Sequence, residues 1–213
     1  GAQVLRGRDT AQLHAVNKSS EGDWVTAFDV AAEDAVSEVL RGARPYDAIT
    51  GEESGTYVPG QRSGVRWSVD PLDGTTNFIR DIVYYSTSVA ACDEHGNWLV
   101  GVVNAPALGR IYYAVAGLGA WVRRNGRDTR LTGPVPLRRG ALYGTGFSYD
   151  PAVRREQFGA FLETMENFSD MRRLGAASLD LCMVAEGTLD GYSERGLHEH
   201  DWAAGAPVSY THL

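Results

Sequence analysis

The segment Trp67-Ser68-Val69-Asp70-Pro71-Leu72-Asp73-Gly74-Thr75-Thr76-Asn77-Phe78 decides how the chain is read. Residues 65–69 read as a strand, which runs into two acids three residues apart and then a glycine turn. Pro71 fixes its own backbone angle and withholds a donor. Gly74 tolerates the positive φ or close backbone approach of a tight turn, so Asp70 and Asp73 can converge and the Leu72 carbonyl is left to point inward. The hydroxyls of Thr75 and Thr76 suit a helix start, and the amides after Gly74 then form a seat for an oxyanion without any lysine.

Two more acids stand out, Glu52 in Gly51-Glu52-Glu53-Ser54 and Asp201 in His200-Asp201-Trp202-Ala203-Ala204-Gly205. Their separation along the chain does not say whether they meet the first pair. If the fold brings them together, two carboxylates about 4 Å apart repel by about 4 kcal/mol at an effective dielectric of about 20, so a cluster of four demands cations. Carboxylate and carbonyl oxygens suit Mg²⁺ or Mn²⁺ rather than zinc. Taken one at a time, the same acids read more simply: Asp-x-x-Asp-Gly as a surface turn, Glu52 and Glu53 as solvated loop acids, and Asp201 as the cap of a helix beginning at Trp202.

Outward from these segments, apolar residues recur at helical spacing over 25–40 (Phe28, Ala31, Ala32, Ala35, Val36, Val39, Leu40), with Gly42 and Pro45 ending the helix. Residues 84–92 and 98–103 read as a hairpin around Asp93-Glu94-His95-Gly96-Asn97, and 111–116 and 120–123 as further strands. Helices follow at about 151–167 and 178–186, with a strand at about 189–192. Strand runs and helix runs in this order predict layered sheets and helices rather than a βαβ repeat.

The 213 residues, 43% hydrophobic, suffice for one sizeable core or two closely joined lobes. A net charge of -7 argues against a surface built for nucleic acid or anionic lipid. Cys92 and Cys182 lie far apart and predict buried, reduced thiols. No apolar run reaches the ~20 residues of a membrane span, and residues 1–10 lack a signal-peptide block, which reads as cytoplasmic. His14, His95, His198 and His200 are scattered without a cysteine partner and read as solvated or capping residues. Gly144-Thr145-Gly146-Phe147 lacks the lysine and spacing of a P-loop and reads as a strand end, and Arg138-Arg139 and Arg172-Arg173 as solvated faces.

In order, the Gly-Glu-Glu segment at 51–53, the Asp-Pro-Leu-Asp-Gly-Thr-Thr-Asn-Phe segment at 70–78 and the Asp-Trp-Ala-Ala-Gly segment at 201–205 resemble the inositol monophosphatase family. Lys18-Ser19-Ser20, Val25-Thr26-Ala27-Phe28-Asp29, Gly175-Ala176-Ala177-Ser178 and Tyr192-Ser193-Glu194 extend the resemblance over nearly the whole chain. One departure is His200, where the family usually has tryptophan.

The resemblance implies an α/β chain of the α+β type, a layered αβαβα sandwich of the inositol monophosphatase and fructose-1,6-bisphosphatase kind, forming one domain over residues 1–213. It implies a magnesium-dependent phosphoric monoester hydrolase acting on a small polyol or sugar phosphate, myo-inositol 1-phosphate first, in a cytoplasmic homodimer. Glu52, Asp70 and the Leu72 carbonyl match ligands of one Mg²⁺, and Asp70, Asp73 and Asp201 those of a second. Glu52 reaches a third through water, and Mn²⁺ can substitute. Thr75, partnered by Glu52, matches the residue that orients the attacking water, with Asp29 behind it. Gly74 and Thr75 match the phosphate cradle, Lys18 the entrance, and Glu194 and the Ala177 backbone contacts to substrate hydroxyls. Asp201 matches a group that assists the leaving oxygen. Fructose bisphosphate or histidinol phosphate as substrate, a non-catalytic metal-binding regulator and a nucleic-acid-associated factor are the alternatives. Family members continue past the late aspartate with a further strand, a helix and a Gly-Gly segment, so the resemblance also implies a chain incomplete at its C-terminal end, with exposed sheet edges.

Overall fold

The structure, a computed structural model, describes residues 16–17, 24–134 and 140–210. Lys18, His14 and the Arg138-Arg139 pair lie outside the described residues. Strands β1 (Val16–Asn17) and β2 (Trp24–Val25) pair antiparallel and lead into helix α1 (Ala27–Ala43). Thr26 caps α1: its hydroxyl accepts from the Phe28 amide at 3.1 Å, while Asp29 accepts from the Thr26 amide at 2.8 Å and hydroxyl at 2.6 Å.

The helix departs from its sequence reading in two ways. It continues through Gly42 to Ala43, and its buried face is Phe28, Asp29, Ala32, Glu33 and Ser37, whereas Val39 is 69% exposed. The acids turn inward because backbone groups await them: Glu33 accepts from the amides of Glu53 at 2.9 Å and Ser54 at 2.8 Å and so shapes the loop that holds Glu52. An apolar side chain there would leave those amides unpaired.

Next come β3 (Ala48–Gly51), β4 (Gly55–Tyr57), β5 (Arg66–Asp73), helix α2 (Thr75–Ile79), β6 (Ser86–Cys92), β7 (Trp98–Ala105), β8 (Arg110–Val115), β9 (Gly119–Arg124) and β10 (Arg127–Arg130). They form an eight-stranded sheet ordered β10-β9-β8-β7-β6-β5-β3-β4, antiparallel except between β3 and β5. The expected hairpin is β6–β7, closed by Asp93, which accepts from the His95 and Asn97 amides, each at 2.9 Å.

The β5–β6 ladder carries an irregularity that positions the site. Asp70 faces Ser88 and Asp73 faces Ser86, so three steps along β5 match two along β6. Residues three apart on a regular strand point to opposite faces, and the extra residue returns Asp73 to the face of Asp70. Pro71 has no amide to donate at this point, and its carbonyl takes the Thr87 hydroxyl at 2.9 Å.

The second half adds β11 (Leu142–Thr145), α3 (Pro151–Met165), β12 (Asp170–Arg172), α4 (Ala177–Glu186), β13 (Gly191–Ser193), α5 (Glu199–Trp202) and α6 (Gly205–Tyr210). The three strands form a parallel sheet ordered β12-β11-β13, and Gly144-Thr145 is a strand end as read. Helix α1 packs on β5, α4 and α6 pack on the other face of the large sheet, and α3 meets the small sheet through Phe161 against Tyr143, 6.2 Å apart. The succession is the expected αβαβα layering. Among the described residues, no helix is long and apolar enough to cross a membrane.

The main core joins Ala90, Val103, Tyr112 and Ala114 of the sheet to Leu179, Cys182, Ala185 and Val208 of α4 and α6; its small side chains let helix and sheet approach closely. Cys92 and Cys182 are buried free thiols, as expected. A second cluster, Phe28, Ala32, Leu72, Phe78 and Tyr85, supports α2 from below. Phe78 meets Phe28 and Tyr85 edge-on, at 5.4 and 5.0 Å. Phe78→Ala is expected to cost about 3–5 kcal/mol of unfolding free energy in a urea titration. A loss of under about 1 kcal/mol would show that this cluster does not support α2.

Candidate functional site

A pocket of about 630 Å³ opens where the end of β5, the starts of α2 and α4, the end of β13 and α5 meet. Its wall includes Glu52, Asp70, Leu72, Asp73, Gly74, Thr75, Ala177, Glu194 and Asp201, so the acids separated in sequence share one cavity. Asp29 stands behind Thr75, joined to it by a hydrogen bond.

Local chemistry sets the first part of the wall. Asp70 accepts from the Leu72 amide at 3.0 Å, across Pro71. The Thr75 hydroxyl lies 2.9 Å from the Leu72 carbonyl and 3.2 Å from Asp29, with one proton to give to either. Gly74 is the N-cap of α2 with φ +89°, and a Cβ there would meet the Tyr84 carbonyl at 3.0 Å, so only glycine fits without strain. Asn77 fastens α2 by donating to the carbonyls of Tyr84 at 2.7 Å and Leu174 at 2.8 Å.

Asp73 has a second task. Its carboxylate accepts from the amides of Ala177 at 3.2 Å and Ser178 at 2.8 Å, and from the Ser178 hydroxyl, so it caps α4 while lining the pocket. The Ala177 backbone is expected to contact substrate hydroxyls, and its amide is committed to Asp73. Glu194 receives the Tyr192 hydroxyl at 2.6 Å, and a Cβ on Gly146 would overlap its carboxylate.

Asp201 lies on α5, which begins at Glu199 and not at Trp202 as read from sequence. His198 is its N-cap, and Asp201 accepts from the His198 amide at 2.5 Å, so the acid both caps the helix and lines the pocket. Helix α5 is tied to the sheet by Arg66, whose guanidinium meets Glu199 at 2.5 and 2.9 Å, and by Trp202 edge-on against Trp98 at 5.7 Å. The Arg66 hydrogen bonds hold Glu199 below the usual carboxylate range.

The acids pay for their proximity. Burial, then the charges of Glu52, Asp73 and Asp201, push Asp70 well above the ordinary range. Burial raises Asp73 well above that range despite the Ser178 hydrogen bonds, and Asp201 charge adds to the shift. Burial also raises Asp201, with His200 opposing, and Asp29, with Thr26 opposing. Among the described residues, no three His, Cys, Asp or Glu side chains close into a ready metal cage. The donors are nevertheless hard oxygens under mutual repulsion, a set that fits an open-sided Mg²⁺ site with several waters retained.

Sequence reasoning missed two pocket residues and one buried acid. His200, read as solvated or capping, instead points at the acids: its Nε2 is 3.7 Å from Asp201 Oδ1 and 4.0 Å from Glu52 Oε1. Arg173, read as part of a solvated face, lines the pocket and opposes the burial that raises both Asp180 and Glu194, whereas its neighbour Arg172 pairs with Asp170 at 2.7 Å as a surface residue. Asp180, buried on α4, accepts from the Tyr84 hydroxyl at 2.7 Å. The departure from tryptophan at 200 was a usable signal; Arg173 and Asp180 had none, since their surroundings are assembled from distant segments.

The sequence model of the inositol monophosphatase family matches residues 1–209. A protein named "Nus factor SuhB" from Pasteurella multocida is 39% identical over 209 residues, covering 96% of this chain and 75% of that protein. One named "Inositol-1-monophosphatase SuhB" from Mycobacterium tuberculosis is 40% identical over 199 residues, covering 90% of this chain and 67% of that protein. The crystal structure of extragenic suppressor protein suhB from Bartonella henselae superposes with a TM-score of 0.87 at 31% identity, covering 99% of this chain and 80% of that one.

Burial raises Asp180 to about 7, so the native state keeps a proton that the unfolded chain releases at lower pH. Its contribution to stability is complete below the unfolded carboxyl range and is lost as pH rises from about 4 to about 7. Asp180→Asn removes that loss: in metal-free buffer its urea midpoint should climb relative to the parent across this window, and a constant difference would show that Asp180 titrates normally.

Proposed function

The chain belongs to the inositol monophosphatase family, and on that premise we propose that it hydrolyses the phosphate monoester of a small polyol or sugar, myo-inositol 1-phosphate first, with Mg²⁺ as cofactor. The observation that carries this reading is the sharing of one pocket wall by Glu52, Asp70, Leu72, Asp73 and Asp201. Glu52, Asp70 and the Leu72 carbonyl would hold one ion, Asp70, Asp73 and Asp201 a second, and Glu52 would serve a third through water. Bound magnesium supplies positive charge to the phosphoryl oxygens and lowers the pKa of a water.

The remaining work falls to the chain. Thr75 donates its proton to Asp29 or the Leu72 carbonyl, which leaves its lone pairs to accept from the attacking water, with Glu52 as the carboxylate partner. The amides of Gly74 and Thr75, at the start of α2, orient the phosphoryl group. Water then displaces the alkoxide directly, forming one P–O bond as the other breaks, and Asp201 assists the return of a proton to the leaving oxygen. Glu194, held by Tyr192, accepts from substrate hydroxyls beside Ala177.

A homodimer in the cytoplasm completes the proposal, and light scattering tests the dimer. The name of the Pasteurella multocida relative prompts a second reading, a Nus-factor role beside hydrolysis. The net charge of -7 weighs against nucleic acid as the main partner, and a salt-dependent RNA mobility shift would support that role.

Phosphate release from inositol 1-phosphate, fructose 1,6-bisphosphate and histidinol phosphate, each with and without Mg²⁺, tests the function; the expected result is Mg²⁺-dependent release, fastest from inositol 1-phosphate. No release by folded protein would reject the enzyme. Asp73→Asn is expected to weaken Mg²⁺ binding about tenfold or more in calorimetry, the equivalent of about 1.4 kcal/mol, and unchanged affinity would remove Asp73 from the ligand set.

A further inference from the structure

The reaction outlined above leaves the histidine beside the acids without a task. The His200 ring stacks on that of His198, with centroids 5.5 Å apart and planes at 25°. Its carbonyl receives the Ser88 hydroxyl at 3.2 Å, and its side chain is 20% exposed. Helix α5, which bears it, is held to the sheet by the Arg66–Glu199 pair.

From that position Nε2 faces two carboxylates at once, Asp201 Oδ1 at 3.7 Å and Glu52 Oε1 at 4.0 Å. Both separations exceed a hydrogen bond of about 2.7–3.2 Å. The separation from Asp201 also falls within the span of about 3–4 Å between two donors that share one ion at about 2.1 Å each. The tryptophan usual in the family offers only an indole N–H donor at this place, whereas imidazole offers a lone pair.

We propose that His200 is a metal-ligating residue, giving a nitrogen donor to the divalent ion that Asp201 holds, and that it shifts the site's preference from Mg²⁺ toward Mn²⁺. The proposal rests on the metal-dependent reading above and concerns only which atoms hold the ion. Mixed nitrogen and oxygen donors favour transition ions over Mg²⁺, whose affinity depends on oxygen alone. His198, the N-cap of α5, orients the ring and is not itself a donor.

Pulsed EPR of the unmutated protein loaded with Mn²⁺ is the first test, because it reads the nitrogen directly and needs no variant to fold. Modulation from a coordinated nitrogen is expected, retained in His198→Asn and lost in His200→Trp. In calorimetry, His200→Trp should weaken Mn²⁺ by tenfold or more while changing Mg²⁺ by less than threefold. Bound Mn²⁺ without nitrogen modulation, or modulation that disappears with His198 instead, overturns the proposal and leaves the phosphatase reading standing. If His200→Trp tightens both ions, the imidazole is a competing charge and not a ligand. Failure of the unmutated protein to bind either ion would sink both readings together.

Discussion

Pro71 cannot donate to the β5–β6 ladder, and the extra residue that β5 accommodates there turns Asp73 onto the face already occupied by Asp70. A regular strand would have sent the two acids to opposite sides of the sheet. Gly74, at φ +89°, then reverses the chain so that α2 starts with its amides toward the same cavity. Leu72 lies between, its side chain in the core below and its carbonyl toward Thr75.

Burying several carboxylates together costs more than any one of them recovers from hydrogen bonding, as the raised positions of Asp70, Asp73 and Asp201 indicate. The fold offsets part of that cost with backbone amides: Asp73 takes those of Ala177 and Ser178, Asp201 that of His198, Asp29 that of Thr26. Three of the candidate site acids are thus also helix caps. The double use ties the geometry of the pocket to the integrity of α4, α5 and α1, and a substitution at any of these acids perturbs a helix start as well as a charge.

Strand β5 serves as the common frame. Its last residues carry Asp70 and Asp73, and its first residue, Arg66, reaches across 133 positions to Glu199 and so fixes the helix that bears His200 and Asp201. The apolar support is divided to match. Phe28, Phe78 and Tyr85 hold α2 from one side of the sheet, and the alanine-rich core admits α4 and α6 close to the other.

Much of this was legible in the order of residues. The strand, proline and glycine of 67–78 determine a local turn with acids, a carbonyl and helix-opening amides, because backbone restrictions and hydrogen-bonding capacity act over a few residues. The β6–β7 hairpin and helices α3 and α4 were readable for the same reason. Only the tertiary structure decided that the inward face of α1 is partly acidic, that α5 starts at Glu199, and that Asp73 caps a helix 104 residues away. It likewise brought Arg173 into the pocket and His200 against Glu52 and Asp201. Periodicity reports which side chains are apolar, but a polar side chain's place depends on which distant donors and charges the packed layers bring to it.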